Sequence, residues 1–167
     1  MTSSASALYD GTEVTYGRMG LEPQLALREA LAELEGGADA FLYPSGLAAL
    51  TGVLMALLRA GDELLAVDCV YDPTRRFCDT HLKRFGVNTT YVDPMLSGEE
   101  MLALAGPKTR LILLESPGSL TFEIQDVPAI AAAARARGML TVVDGTYGAG
   151  VLNKPLAMGA DVSIQAL

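Results

Sequence analysis

Short apolar runs recur along this chain at Glu63 to Val67, Thr89 to Val92, Leu111 to Glu115, Leu140 to Asp144 and Val162 to Ile164. Their β-branched and aliphatic content and their length read as strands. Helical spacing fills the intervals at Pro73 to Phe85, Gly98 to Leu104 and Val127 to Arg137, with a short turn near Pro155 to Met158. Strands that alternate with helices predict an α/β fold, a mainly parallel sheet flanked by helices. Upstream, a helix is expected from Glu22, with Pro23 in its first turn, Leu25, Leu31 and Leu34 on one face, and Gly36-Gly37 as its stop. Ala38 to Tyr43 is a short apolar run compatible with a strand, and Gly46 to Arg59 reads as a helix with a mostly buried face. The first fifteen or so residues are small, polar and aperiodic, as in a flexible arm. The organisation expected is an N-terminal arm over 1–21 and a core over 22–167, without repeats, low-complexity blocks or an interdomain linker.

Composition narrows the function. With 167 residues, half of them apolar, the chain can bury one core. A net charge of -8 and a pI near 4.5 argue against nucleic-acid or anionic-membrane partners, which need clustered Lys and Arg. No apolar run reaches the roughly 18 to 20 residues of a membrane span, and the N-terminus lacks a basic segment followed by an apolar one. Cys69 and Cys78 form neither a CxxC pair nor a disulfide framework, and His81 is the single histidine. A cytoplasmic protein without a metal site is therefore expected.

Three places have the residue types that chemistry requires. Asp144 ends the run Leu140-Thr-Val-Val, where an α/β sheet delivers a carboxylate to a ligand. Tyr43-Pro-Ser-Gly-Leu-Ala-Ala-Leu opens a helix, whose first N–H groups and dipole favour an anion at Gly46 and Leu47. Ser163 lies in a buried strand. Taken singly, each also has a plain structural reading: a turn aspartate, a helix cap and a strand hydroxyl bonded to a neighbouring backbone. No G-x-G-x-x-G, G-x-x-x-x-G-K-[ST] or G-x-S-x-G is present, which weighs against a nucleotide-binding α/β module or a serine hydrolase.

Asp144-Gly-Thr-Tyr followed at this spacing by Asp161-Val-Ser-Ile-Gln resembles the Cys/Met-metabolism family of pyridoxal 5'-phosphate (PLP) enzymes, and within it the cystathionine β-lyase branch. That resemblance implies the large domain of the fold-type I, aspartate aminotransferase-like PLP enzymes. It assigns Asp144 to the cofactor's ring nitrogen, Gly46, Leu47 and Ser163 to its phosphate, and Tyr71 to stacking on the ring and assisting proton movement. Tyr16 and Arg18 match a Tyr-x-Arg that reaches the phosphate of a neighbouring subunit's cofactor, which implies a homo-oligomer, a dimer or tetramer.

In the run from Glu115 to Glu123, Ser119-Leu120 stands where many relatives have Asn-Pro, as in the β-lyase branch. The implied reaction is β-elimination from a sulfur-containing amino acid: cystathionine gives homocysteine, pyruvate and ammonia. The family's Schiff-base lysine would follow Leu167, and Lys83, Lys108 and Lys154 match no such position. The expectation is thus a partial large domain without the C-terminal small domain, inactive alone. The alternative is a non-catalytic remnant that binds PLP weakly or pairs with a full-length relative.

Overall fold

The computed structural model describes residue 17 and residues 20–167. Tyr16 and Arg18 lie outside the described residues. The chain divides into two compact units, Met1–Leu42 and Tyr43–Leu167.

In the first unit, helix α1 (Glu22–Glu35) has Pro23 in its opening turn. It ends at Gly36, whose φ of 73° is left-handed. The N–H groups of Gly36 and Gly37 return to the carbonyls of Glu33 and Ala32 at 3.2 and 2.8 Å, satisfying acceptors that the helix end leaves open. The expected strand at Ala38 to Tyr43 does not form. Its polar groups turn instead to α1: Arg28 donates to the Ala40 carbonyl at 2.6 Å and pairs with the Asp39 carboxylate at 2.7 Å. A strand needs a neighbouring ladder, and here a guanidinium takes the backbone acceptor.

The second unit is a five-stranded, wholly parallel sheet. Its strands are β1 (Glu63–Val67), β2 (Asn88–Val92), β3 (Thr109–Glu115), β4 (Leu140–Asp144) and β5 (Val162–Ile164), in the order β2-β1-β3-β4-β5. After β2 the chain passes back over β1 to lay down β3, so the winding reverses between β1 and β3. In such sheets a crevice opens at that reversal, beyond the carboxyl ends of the strands. The central strand, β3, shows why the sheet needs cover on both faces. Leu111, Ile112, Leu113 and Leu114 are all fully buried, although successive side chains point to opposite faces.

The helices supply that cover. Helix α2 (Gly46–Leu57) is capped by Ser45, whose hydroxyl accepts the Ala48 N–H at 3.1 Å, and it buries Leu50 and Leu54. Helix α3 (Asp72–Phe77) runs into a π-helical turn at Cys78–Leu82, so the single helix expected from Pro73 to Phe85 changes its hydrogen-bond pattern midway. Ser97 and Glu100 form a reciprocal capping box at the start of α4 (Gly98–Ala103). Helix α5 (Val127–Ala136), capped by Asp126, buries Val127, Ile130, Ala131 and Ala134, the i, i+3, i+4, i+7 stripe. Gly98 lets α4 approach α5: a Cβ there would stand 3.1 Å from the Ala129 carbonyl oxygen.

Among the described residues no helix is long and apolar enough to cross a membrane. Leu113→Ala would remove a fully buried side chain from the middle of the sheet. Urea unfolding should show a loss of about 2 to 5 kcal/mol, the range for cavities that cannot collapse.

Candidate active site

The carboxyl ends of β1, β3, β4 and β5 bring the sequence candidates to one edge of the sheet. Asp144 closes β4, pairing with Glu115 on one side and Ile164 on the other. Its Oδ1 accepts the Thr146 N–H at 3.1 Å and the Thr146 hydroxyl at 2.6 Å. Thr146 Oγ1 in turn accepts the Ala166 N–H at 3.0 Å. Oδ2 has no such bond among the described residues. One carboxylate oxygen is thus anchored, and the other is available to a ligand.

Ser163 sits opposite Val143 in β5. Its hydroxyl oxygen is buried and has no hydrogen-bond partner among the described residues. A buried polar atom left unpaired costs roughly 1 to 3 kcal/mol, so this one calls for a partner. The start of α2 lies close by: a Cβ on Gly46 would stand 2.7 Å from Ala166 Cβ, just past β5. Only glycine fits so near, and the approach brings unpaired N–H groups of the first helical turn, those of Gly46 and Leu47, to the end of β5. An orphaned hydroxyl, a helix N-terminus and a half-free carboxylate are what an anionic heterocyclic phosphate requires, so these residues fit PLP.

Tyr71 follows β1 and is half-exposed. Its backbone N–H donates to Glu115 Oε2 at 2.7 Å, across the reversal between β1 and β3. Glu115 is 6% exposed, and burial pushes its carboxyl up to about 7, with Asp144 adding a smaller push and the Tyr71 N–H pulling down. In sequence, Glu115 is the last residue of an expected strand, with no role assigned to it. The available signal was an acid closing a fully apolar run, as Asp144 does one strand over.

Further bonds seal the same seam. The Ser119 N–H donates to the Cys69 carbonyl at 2.9 Å, and a Cβ on Gly118 would fall 2.6 Å from Cys69 Sγ. Burial and the nearby Glu123 and Glu115 carboxylates push the Cys69 thiol up to about 11, so it stays protonated and inert at neutral pH. Ser119 therefore faces the β1 loop through its backbone, while Leu120, 85% exposed, adopts a φ of 64°. His81 is exposed and stacks on Phe77 with ring centroids 5.7 Å apart, away from the site elements. No group of three or more His, Cys, Asp or Glu among the described residues could hold a metal.

The family model for Cys/Met metabolism PLP-dependent enzymes matches residues 3–167. This chain belongs to that family. It is 42% identical over 156 residues to the cystathionine beta-lyase of Escherichia coli K12, covering 92% of this chain and 39% of that protein. It is 41% identical to the cystathionine beta-lyase of Haemophilus influenzae, with the same two coverages, 92% and 39%. The solved structure of cystathionine gamma-lyase from Lactobacillus plantarum, complexed with L-serine, superposes with a TM-score of 0.86 at 33% identity, over 92% of this chain and 41% of that one. The chain thus spans about two fifths of the length of these relatives. The fold is that of the fold-type I PLP enzymes, and the family's cofactor is PLP.

Glu115 has a folded pKa above the ordinary 4.5, so the stability it contributes is full below about 4.5 and is lost as pH rises to about 7. Glu115→Gln, which mimics the protonated form, should leave stability nearly unchanged at pH 4.5 and raise it by about 2 to 3 kcal/mol at pH 8. Urea unfolding at the two pH values measures this.

Proposed function

We propose that this chain carries the cofactor-holding part of a PLP-dependent carbon–sulfur lyase of the cystathionine β-lyase type. The observation that carries the reading is the buried Ser163 hydroxyl, without a partner among the described residues, in the strand whose end meets the α2 N-terminus at Ala166 and on the same sheet edge as Asp144, whose Oδ2 has no hydrogen bond among the described residues. In this reading the N–H groups of Gly46 and Leu47 and the Ser163 hydroxyl take the phosphate oxygens, with the dipole of α2 adding to the attraction. Asp144 Oδ2 would hold the proton on the ring nitrogen, with Thr146 keeping the carboxylate from rotating away. Tyr71 would stack on the ring, a contact worth roughly 0.5 to 1.5 kcal/mol beyond buried area. Tyr16 and Arg18 are proposed to serve the phosphate of a neighbouring subunit in a homo-oligomer.

When bound, PLP supplies the electron sink for the pair released at the substrate Cα. The net reaction consumes cystathionine and water: the Cα–H and Cβ–S bonds break, the sulfur leaves as homocysteine, and the remaining three-carbon unit hydrolyses to pyruvate and ammonia. The Asp144 charge matters because a protonated ring nitrogen is the form that accepts the pair. Similarity to cystathionine beta-lyases over almost the whole chain supports this substrate, and Ser119-Leu120 in place of Asn-Pro supports β-elimination.

One observation favours a second reading for the polypeptide on its own. Lys83, Lys108 and Lys154 are all exposed, and none belongs to the strand ends or helix start that form the site. Alone, the chain then binds PLP without a lysine to react with it and acts as a binding domain.

Two measurements test the proposal. Equilibrium dialysis should show PLP binding that weakens about tenfold or more in Asp144→Ala, the loss of one charge-assisted contact. Unchanged affinity would remove Asp144 from the site. A chimera with residues 3–167 in place of the matched part of the Escherichia coli enzyme should release keto acid from cystathionine, whereas the 167-residue chain alone should release no more than a PLP-only control. A folded chimera that binds PLP and leaves cystathionine intact would exclude the β-lyase assignment.

A further inference from the structure

We infer that Glu115 is a positioning residue: by accepting the Tyr71 backbone N–H across the reversal between β1 and β3, it latches the loop that carries Tyr71, and its ionisation tightens the latch. The inference deepens the proposed function, because it concerns the residue assigned to the cofactor ring.

The geometry restricts what else Glu115 can be doing. It is buried at the end of the central strand, and its Oε2 lies 2.7 Å from the Tyr71 nitrogen, 44 residues away in sequence. A carboxylate in that position normally pairs with a cation. The groups that act on Glu115 are burial, the Tyr71 N–H and Asp144, and none is cationic. The charged and titratable groups around it are Asp144 from β4 and Cys69 from the β1 loop. Asp68 and Glu123 act in turn on Cys69. Arg75 is paired with Asp68. Among the described residues, the favourable partner of a charged Glu115 is thus a backbone amide, that of Tyr71.

This arrangement makes the Tyr71 loop responsive to charge. An ionised carboxylate accepts an N–H bond about twice as strongly as its neutral acid, so the hold on Tyr71 strengthens as Glu115 loses its proton. Asp144 works against that ionisation from the next strand. A protonated ring nitrogen set against Asp144 would offset its charge and favour ionisation of Glu115. Cofactor binding and the latch would then reinforce each other through two neighbouring carboxylates, a coupling that is reciprocal by linkage.

The test follows the Tyr71 amide by ¹H–¹⁵N NMR of the labelled 167-residue chain between pH 5 and 9. The expected result is a downfield movement of the amide proton on raising pH, with a midpoint near the value of about 7 set by burial of Glu115. In Glu115→Gln the resonance should persist and stay flat with pH, because the amide oxygen still accepts the bond without titrating. Its protection against hydrogen exchange at pH 8 should fall about tenfold relative to the unaltered chain. Tyr71→Phe should keep the titration, which separates the backbone bond from ionisation of the phenol. An amide that does not move with pH in the unaltered chain, or that titrates identically in Glu115→Gln, overturns the latch. With PLP added, the midpoint should fall. A titration that is present but unmoved by PLP leaves the latch standing and counts against the cofactor placement.

Discussion

The register of β3 against β4 is the constraint on which the site rests. Because Glu115 pairs with Asp144 in a parallel ladder, two carboxylates from distant parts of the sequence end on neighbouring strands at the same level. Two acids so placed repel, and the fold resolves the repulsion by giving them different surroundings. Asp144 is partly open and receives two donors from Thr146, whereas Glu115 is buried with a single amide. Environment rather than residue type therefore distinguishes the two: one carboxylate is partly open, and the other is buried against the loop beside it.

In the proposed reading, a chain with a charge of -8 would hold an anionic phosphate through a helix start and a hydroxyl rather than through a lysine or arginine of the described site elements. Long-range repulsion is screened within about 8 Å at physiological salt, while N–H groups at contact distance keep their full effect. Gly46 makes this possible by lacking a side chain where Ala166 crowds in, so that α2 delivers its N-terminus to the end of β5. A substitution there would act on the helix position first and on the phosphate site through it.

Relatives named for β-lyase and γ-lyase activities each match this chain over about two fifths of their own lengths. In the proposed reading, that stretch would position the cofactor through its helix cap, its carboxylate and its aromatic loop. The backbone of Ser119 is fixed to Cys69, and the adjacent Leu120 projects outward with a left-handed backbone.

Local pattern was enough to determine the α/β alternation and all five strands to within two residues, because strand period and cap chemistry are short-range properties of the chain; Asp144 and Gly46 were legible as candidates from the strand end and the helix start, and Ser163 from the family resemblance. It misread Ala38 to Tyr43, since an apolar run becomes a strand only where a ladder is offered, and Arg28 had already taken the Ala40 carbonyl. It gave Glu115 no role, because a buried acid acquires one only from what is brought against it, here an amide 44 positions away in sequence. Tertiary structure alone decided which carboxylate is partly open, that the Ser163 hydroxyl is buried without a partner among the described residues, and that the Tyr71 amide meets Glu115. Each of these depends on burial and register, and neither is a property of any single segment.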